Sequence, residues 1–571
     1  MGRRCDLANP RGIVFFRRVA AMAAIGSGLL AVLMMIAPQA GAHAVVVSSD
    51  PADGGRIAKA PSAVTVRFDE PVGLELGYLR VVDMTGQRVD TGSAGHPAGD
   101  GTSIRVGLRG GLGDGSYLVN FRVLSADSHP VAGAIRFVVG NGPLGASGGP
   151  SGTSSVNPGV AVALATSDWL GFAGIALIGG SWLTFSIWPA GQQRRTIRHA
   201  IWAGWGLAVA GAVGEYLAQG PFSAGSSLAA AIRPSLLDGT LHEHAGQLLS
   251  LRLVLLGVQA AILTAVFDSD ERRRPTWGPH AAGIVALGIV VTHVASGHAE
   301  SNSPRWLAIS VAGLHFTAMV VWLGGLAILV IAAFGRSTEA ERADDAAQLA
   351  AGMAIFSRVA VASVAILAVT GTLLAMWDVG TVDAISTTWY GRLVLTKVGL
   401  LAGLVGLGYF ARRTVLRGDW AITGGPLERM RRALAVEVMV GAVVLGVTGV
   451  LIAQPPGKVA LTAERSKPRF SVVKLTPSTT ARVTVNPGRQ GSVQISVELN
   501  GSTTPLQVSA TASMAAHELG PIPIRLQAAG PRSYTGDDVV LPAAGAWDIT
   551  LTVRTSEFDS TTAIARLRLS R

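Results

Sequence analysis

Four side chains between Ile289 and Gly325 could hold a metal: His293, His298, His315 and Met319. They lie in IVVTHVASGHAESNSPRWLAISVAGLHFTAMVVWLGG, which reads as two apolar helices joined by a short polar turn. A histidine at hydrocarbon depth is costly, so it marks a site unless it simply hydrogen-bonds a neighbouring helix. Met319 stands one turn beyond His315 on the same helical face, whereas His293 and His298, five apart, point in different directions and cannot chelate together. The single cysteine, Cys5, falls in a basic and apolar N-terminal segment, which leaves no thiolate for a site. Imidazole, thioether, carboxylate and amine remain as ligands. That set disfavours structural zinc and leaves copper, with methionine offering Cu(I) a soft donor.

The elements that position these residues belong to a membrane protein. With 571 residues, 49% hydrophobic and 15% charged, and a mean hydropathy of +0.43, the chain is too apolar for a soluble multidomain protein. Eight apolar segments, near 160–188, 200–219, 247–267, 279–297, 305–334, 354–377, 390–411 and 430–453, each have the length of a helix crossing the lipid bilayer. The formal charge of +11 is gathered in alternate loops: Arg194, Arg195 and Arg198; Arg272 to Arg274; Arg336 and Arg342; Arg412, Arg413 and Arg417 with Arg429, Arg431 and Arg432. This is an orientation signal that places both chain ends outside, and it excludes a nucleic-acid surface. On that topology His298, His315 and Met319 form a ladder leading inward from the outer surface.

The N-terminal 1–42 carries Arg3, Arg4, Arg11, Arg17 and Arg18, an apolar run from Val19 to Ala37, and Ala40-Gly41-Ala42. It reads as a signal peptide whose removal makes His43 the new terminus. From 43 to 140, short runs such as AVTVRF, SIRVGL and AIRFVV alternate between Gly, Pro, Asp and Ser clusters, about seven strands of an antiparallel sandwich. Residues 141–159 are a Gly/Ser/Pro linker, and 160–454 hold the apolar segments. After Pro455-Pro456, the region 455–571 returns to strand alternation in FSVVKL, SVQISVEL and WDITLTVRT. The expected fold is therefore mixed: an N-terminal β-sandwich of Greek-key, cupredoxin/Ig-like type, an eight-helix transmembrane α bundle and a C-terminal β-sandwich.

HAVVVSSDPADGG, APSAVTVRFDEPV and YLVNFRVLSADSHPVAGAIRFVV resemble the CopC family of periplasmic copper-binding proteins. The resemblance implies a Cu(II) site, and the residues agree with it. A terminal His43 offers its α-amine and ring nitrogen together, and Asp127 and His129, at i and i+2, share one face of an extended strand. Three nitrogens and an oxygen suit tetragonal Cu(II). A Met-rich Cu(I) loop, found in some relatives, is not expected with Met84 the only methionine here, and His96 reads as a solvent-exposed turn residue. LHFTAMVVWLGG, FSRVAVASVAILAVTGTLLA, WYGRLVLTKVGLLAGL and RRALAVEVMVGAVVLGVTGVLIAQPP, from about His293 to Pro456, resemble the CopD family, the membrane partner of CopC. ELGPIPIRL and GDDVVLPAAGAWDITLTVRTSEFD resemble the YtkA-like domains attached to some CopD proteins.

Other polar groups have plainer readings. Asp168 caps the first span, with Trp169 to Trp188 crossing the bilayer. Glu215, Arg252, Arg358, Arg392, Lys397 and Glu437 snorkel or pair structurally, Lys397 with Glu437 across the last two spans. His242 and His244 flank Glu243 in an outer loop, and Met514 and His517 are the C-terminal region's soft ligand candidates. The leading function is capture of Cu(II) outside and passage of copper through the membrane domain, with import implied by the family resemblance. No Walker motif or ATPase domain is present to drive it, and the sequence specifies neither a copper donor nor a reductase. Two other classes stay open: surface sequestration without transport, and a histidine-brace copper oxidase, against which Asp127 beside the metal and a domain of about 100 residues speak.

Overall fold

The computed structural model describes residues 44, 46–126, 129–140, 157–188, 191, 194–268, 277–297, 304–334, 339–416, 425–501, 505–530, 532–557 and 559–570. The signal-peptide segment, residues 141–156 of the linker, His43, Asp127 and His298 lie outside these residues. The chain divides into two units. One comprises Met1–His43, Leu124–Pro130 and Ser155–Gly457, and the other Ala44–Val123, Val131–Ser154 and Lys458–Arg571.

In the second unit, the N-terminal strands form two four-stranded sheets. The first has the order β1 (Val46–Asp50), β3 (Ala63–Phe68), β6 (Ser103–Leu108), β5 (Asp90–Gly95). The second runs β2 (Gly55–Ile57), β8 (Pro130–Val139), β7 (Gly115–Leu124), β4 (Gly73–Asp83). Period-two alternation explains the packing: Val64, Val66 and Phe68 of β3 turn inward, as do Val119, Phe121 and Val123 of β7. Phe68 meets Phe121 edge-on at 5.5 Å, joining the inner faces of the two sheets.

The C-terminal strands build a five-stranded sheet, β14 (Gln527–Gly530), β15 (Ser533–Leu541), β11 (Gly491–Asn500), β10 (Thr479–Asn486), β9 (Arg469–Thr476). A four-stranded sheet follows the order β13 (Leu519–Ile524), β12 (Gln507–Met514), β16 (Gly545–Arg554), β17 (Ser560–Leu569). Val483, Ile495, Ala512 and Ile549 from both sheets share one core with Trp547. The Trp547 indole donates to the Ala543 carbonyl at 2.8 Å. Met514 is buried in this core while His517 is exposed, so the pair shares no ligand face and Met514 packs.

The helical unit has long helices at all eight expected positions: α1 (Pro158–Ser186), α2 (Arg195–Ala224), α4 (His244–Phe267), α5 (Gly278–Val294), α6 (Arg305–Phe334), α7 (Glu339–Val379), α9 (Trp389–Leu416) and α10 (Gly425–Ile452). Short helices α3 (Pro234–His242) and α8 (Val382–Thr387) complete this unit, and α11 (Gly457–Ser466) leads into the C-terminal strands of the other. By length and composition 6 of the described helices can cross a membrane, within α1, α4, α6, α7, α9 and α10. The expected count of eight is thus narrowed. Helix α5 is apolar but has only 17 residues, and α2 carries Arg195, Arg198, Glu215 and Gln219. Asp168 does not cap α1, because the helix already begins at Pro158 and Asp168 falls well inside it.

Glycines set how closely α1 is approached. A side chain at Gly211 of α2 would come within 2.5 Å of the Gly171 amide, and one at Gly324 of α6 would strike the Ala176 carbonyl. Backbone packed on backbone is how membrane helices gain dispersion contact without a hydrophobic drive.

One buried polar group pins the N-terminal sheets. The Asp90 carboxylate, fully buried, accepts from the Val81 amide at 2.9 Å and the Gly92 amide at 2.9 Å. It also pairs with Arg88 at 2.6 Å. Burial pushes its pKa up, but the Arg88 and Val81 hydrogen bonds outweigh this and hold it below the usual carboxylate value. Its contribution is therefore present above the ordinary carboxylate pKa of about 3.9 and is lost as pH falls through the lower folded value. In the full chain, Asp90→Asn should speed amide exchange in β4 and β5 by an amount matching about 1–3 kcal/mol. The difference from wild type should persist at neutral pH and shrink in strong acid; equal exchange at neutral pH would contradict it.

Candidate functional site

The turn between β7 and β8 carries the Asp127/His129 pair, and its closure is visible at both ends. Ser125 N–H donates to the His129 carbonyl at 2.9 Å, and His129 N–H donates to Ser125 Oγ at 3.1 Å. Of the expected outer ligands only His129 falls among the described residues. Leu124–Pro130 groups with the helical unit, where the His129 ring meets Phe222, near the end of α2, edge-on at 5.8 Å.

His293, on α5, is caged by aromatics. Its ring stacks on Phe316 at 5.2 Å and meets Phe172 edge-on at 4.8 Å, and its buried Nδ1 has no hydrogen-bond partner among the described residues. His315, the residue before Phe316, faces elsewhere because successive helical residues diverge by about 100°. Its Nδ1 lies 2.9 Å from Thr370 Oγ1. Thr370 donates its own hydroxyl proton to the Ile366 carbonyl at 2.6 Å. The hydroxyl oxygen must therefore accept from His315 Nδ1–H, which leaves Nε2 as the free lone pair. Opposite this ring is Gly371, where an added Cβ would stand 3.2 Å from His315 Cε1. Met319, one turn on, is half-buried against the helical core. His293 and His315 thus occupy different faces of α6, and among the described residues no three His, Cys, Asp or Glu converge to hold a metal.

Elsewhere the structure pairs what sequence could only enumerate. Arg252 of α4 donates from Nη1 to Glu215 Oε2 of α2 at 2.6 Å, with only 3% of the Arg252 side chain and 14% of the Glu215 side chain exposed. Its remaining protons reach Thr292 Oγ1 at 3.4 Å, the Thr292 carbonyl at 3.3 Å and Ser296 Oγ at 3.3 Å. Asp168 of α1 lies within the electrostatic reach of Glu215 and Arg252. No sequence signal shows that three helices bring these groups together. Lys397 and Glu437 are not an ion pair among the described residues, and Glu437 Oε1 is buried without a partner. His242 Nδ1 bonds the Asp238 carbonyl at 2.8 Å. His96 is solvent-exposed, as its turn position leads one to expect, with Nδ1 2.9 Å from the Ser103 carbonyl.

Removing one member of the Glu215–Arg252 pair strands a buried charge. Glu215→Leu should cost about 3–5 kcal/mol, while the double change Glu215→Leu with Arg252→Met should restore most of it. Thermal unfolding of the full chain in detergent checks this, and additive losses would contradict it.

The comparisons with known proteins fall on these regions. A family model described as a CopC domain matches residues 46–140, and one described as copper resistance protein D matches 350–451. The latter begins after His293, His315 and Met319, later than the resemblance from about His293. The copper transport protein CutJ of Bacillus subtilis (strain 168) is 27% identical over 414 residues, covering 69% of this chain and 74% of that protein. Copper resistance protein C of Xanthomonas campestris pv. juglandis is 32% identical over 103 residues, 17% of this chain and 80% of that protein. Among solved structures, CopC from Methylosinus trichosporium OB3b is 32% identical, covers 17% of this chain and 93% of that chain, and has a TM-score of 0.16. The chain belongs to the CopC/CopD family of copper resistance and transport proteins, with a CopC domain at 46–140, a CopD domain at 350–451 and a β-rich C-terminal region.

Proposed function

We propose that the chain captures Cu(II) outside the cell membrane and passes copper through its helical domain toward the cytoplasm. One observation carries this reading: a CopC domain and a CopD domain share one polypeptide, and a relative named as a copper transport protein aligns with 69% of it. The alternating arginine loops favour a topology with both β regions on the outer side, the eight long helices all crossing, and the C-terminal region a YtkA-like companion domain.

The capture site is His43, by its α-amine and ring, with Asp127 and His129. Removal of residues 1–42 exposes that amine. Within the helical domain, His298, His315 and Met319 provide a softer route suited to Cu(I), supported by the free Nε2 that Thr370 leaves on His315. The caged His293 stacks on Phe316, the residue that follows His315.

A strain lacking the gene and complemented with the wild-type chain should accumulate more copper than one carrying His129→Ala. Equal cellular copper with surface-bound Cu(II) retained would favour sequestration instead, and polymer cleavage dependent on peroxide would favour the oxidase. Because the amine and imidazoles bind only when deprotonated, with reference pKa values of about 7.7–8.0 and 6.5, Cu(II) affinity should fall steadily below neutral pH. Competition titration against a chelator of known affinity reads this, and an acid-insensitive affinity would exclude the amine as a ligand.

A further inference from the structure

The first helices carry a polar stripe that lies outside the segment matched to CopD. Glu215, Gln219 and Ser223 follow one another at four-residue spacing on one face of α2. Gln219 Nε2 donates to Ser223 Oγ at 3.3 Å, and both side chains are buried, at 6% and 0% exposure. Thr240 Oγ1, buried and without a partner among the described residues, lies against Gly220 beside them. At the Ser223 end stands Phe222, which meets the ring of His129. At the other end are Glu215, Arg252 and Asp168.

A second carboxyl stands beside the ion pair there. Arg252 spends its guanidinium on Glu215, Thr292 and Ser296, and no described residue donates a hydrogen bond to Asp168. Beside the Glu215–Arg252 pair, which is neutral overall, Asp168 adds a carboxyl whose ionised form is costly among apolar helices, so an arriving cation can take the place of its proton. Seven residues beyond Arg252 on the buried face of α4, about 10 Å further at 1.5 Å per residue, is Gln259. It has 0% exposure, and neither its Nε2 nor its Oε1 has a partner among the described residues. A membrane helix that keeps an unpaired amide fully buried holds it against a desolvation cost of about 1–3 kcal/mol.

Every donor along this stripe is oxygen or nitrogen, and none is sulfur. Such a set prefers Cu(II), whereas thioether prefers Cu(I). Among the described residues no three His, Cys, Asp or Glu converge into a cage, which fits transit, since a conducting path must bind weakly enough to release. We propose that the stripe from Ser223 through Gln219, Glu215 and Asp168 to Gln259 is a passage for divalent copper that requires no prior reduction. This rests on the reading of the chain as a copper carrier, and it uses none of the residues of the His315–Met319 route.

The test reconstitutes the full chain in lipid vesicles holding calcein, whose fluorescence Cu(II) quenches, and adds Cu(II) outside with and without ascorbate. The passage predicts entry without ascorbate and a loss of about tenfold in rate, equivalent to about 1.4 kcal/mol, in both Asp168→Asn and Gln259→Leu. Gln259→Leu removes two buried unpaired polar atoms, so it should also unfold at a higher temperature. A purely structural glutamine would give that stabilisation with no change in flux. Wild-type entry at full rate in both variants, or entry only after ascorbate is added, overturns the passage while leaving transport intact. No entry under either condition overturns transport itself.

Discussion

A guanidinium with 3% of its side chain exposed among apolar helices persists only where a carboxylate and several oxygens surround it. Arg252 meets that condition by drawing α4, α2 and α5 together through Glu215, Thr292 and Ser296. Much of the helical unit's specificity follows. Breaking the pair would leave a buried charge, whereas apolar helices alone could slide past one another at little cost. Asp168 enters the same cluster from α1, the helix that glycines of α2 and α6 approach most closely.

The consequence is a helical unit with two linings of different softness. In one, His315 is fixed by Thr370 so that its Nε2 is available, and Met319 follows one turn later. In the other, His293 is held between Phe172 and Phe316, next to a stripe of oxygen donors. Phe172 and Phe316 themselves stand 5.3 Å apart, edge-on.

Sequence alone showed the strands and most helices, because alternation and apolar length are local signals. Val64, Val66 and Phe68 follow the period of two that AVTVRF displays. Asp168 was less legible. The apolar run from Trp169 suggested a helix start, but PGVAVALATSD is also helical, so a residue read as a cap became an interior carboxyl. The Glu215–Arg252 pair was invisible for a different reason: 37 residues separate the partners, and helix faces meet only through tertiary packing. The same limit applied to Lys397 and Glu437, whose charges suggested a pair that the packing does not make. His293 and His315 both lie in the apolar hairpin read from the sequence, and only the packing shows that His293 rests on Phe316 while His315 turns to Thr370.

The account stands on copper moving through the helical unit rather than stopping at the outer domain. Charge displacement on a solid-supported membrane bearing the full chain measures this directly after a rapid Cu(II) concentration jump. Passage predicts a sustained current that scales with the Cu(II) gradient and vanishes when Cu(II) is chelated. A brief binding transient with no sustained current, alongside undiminished Cu(II) binding by the same preparation, would contradict it.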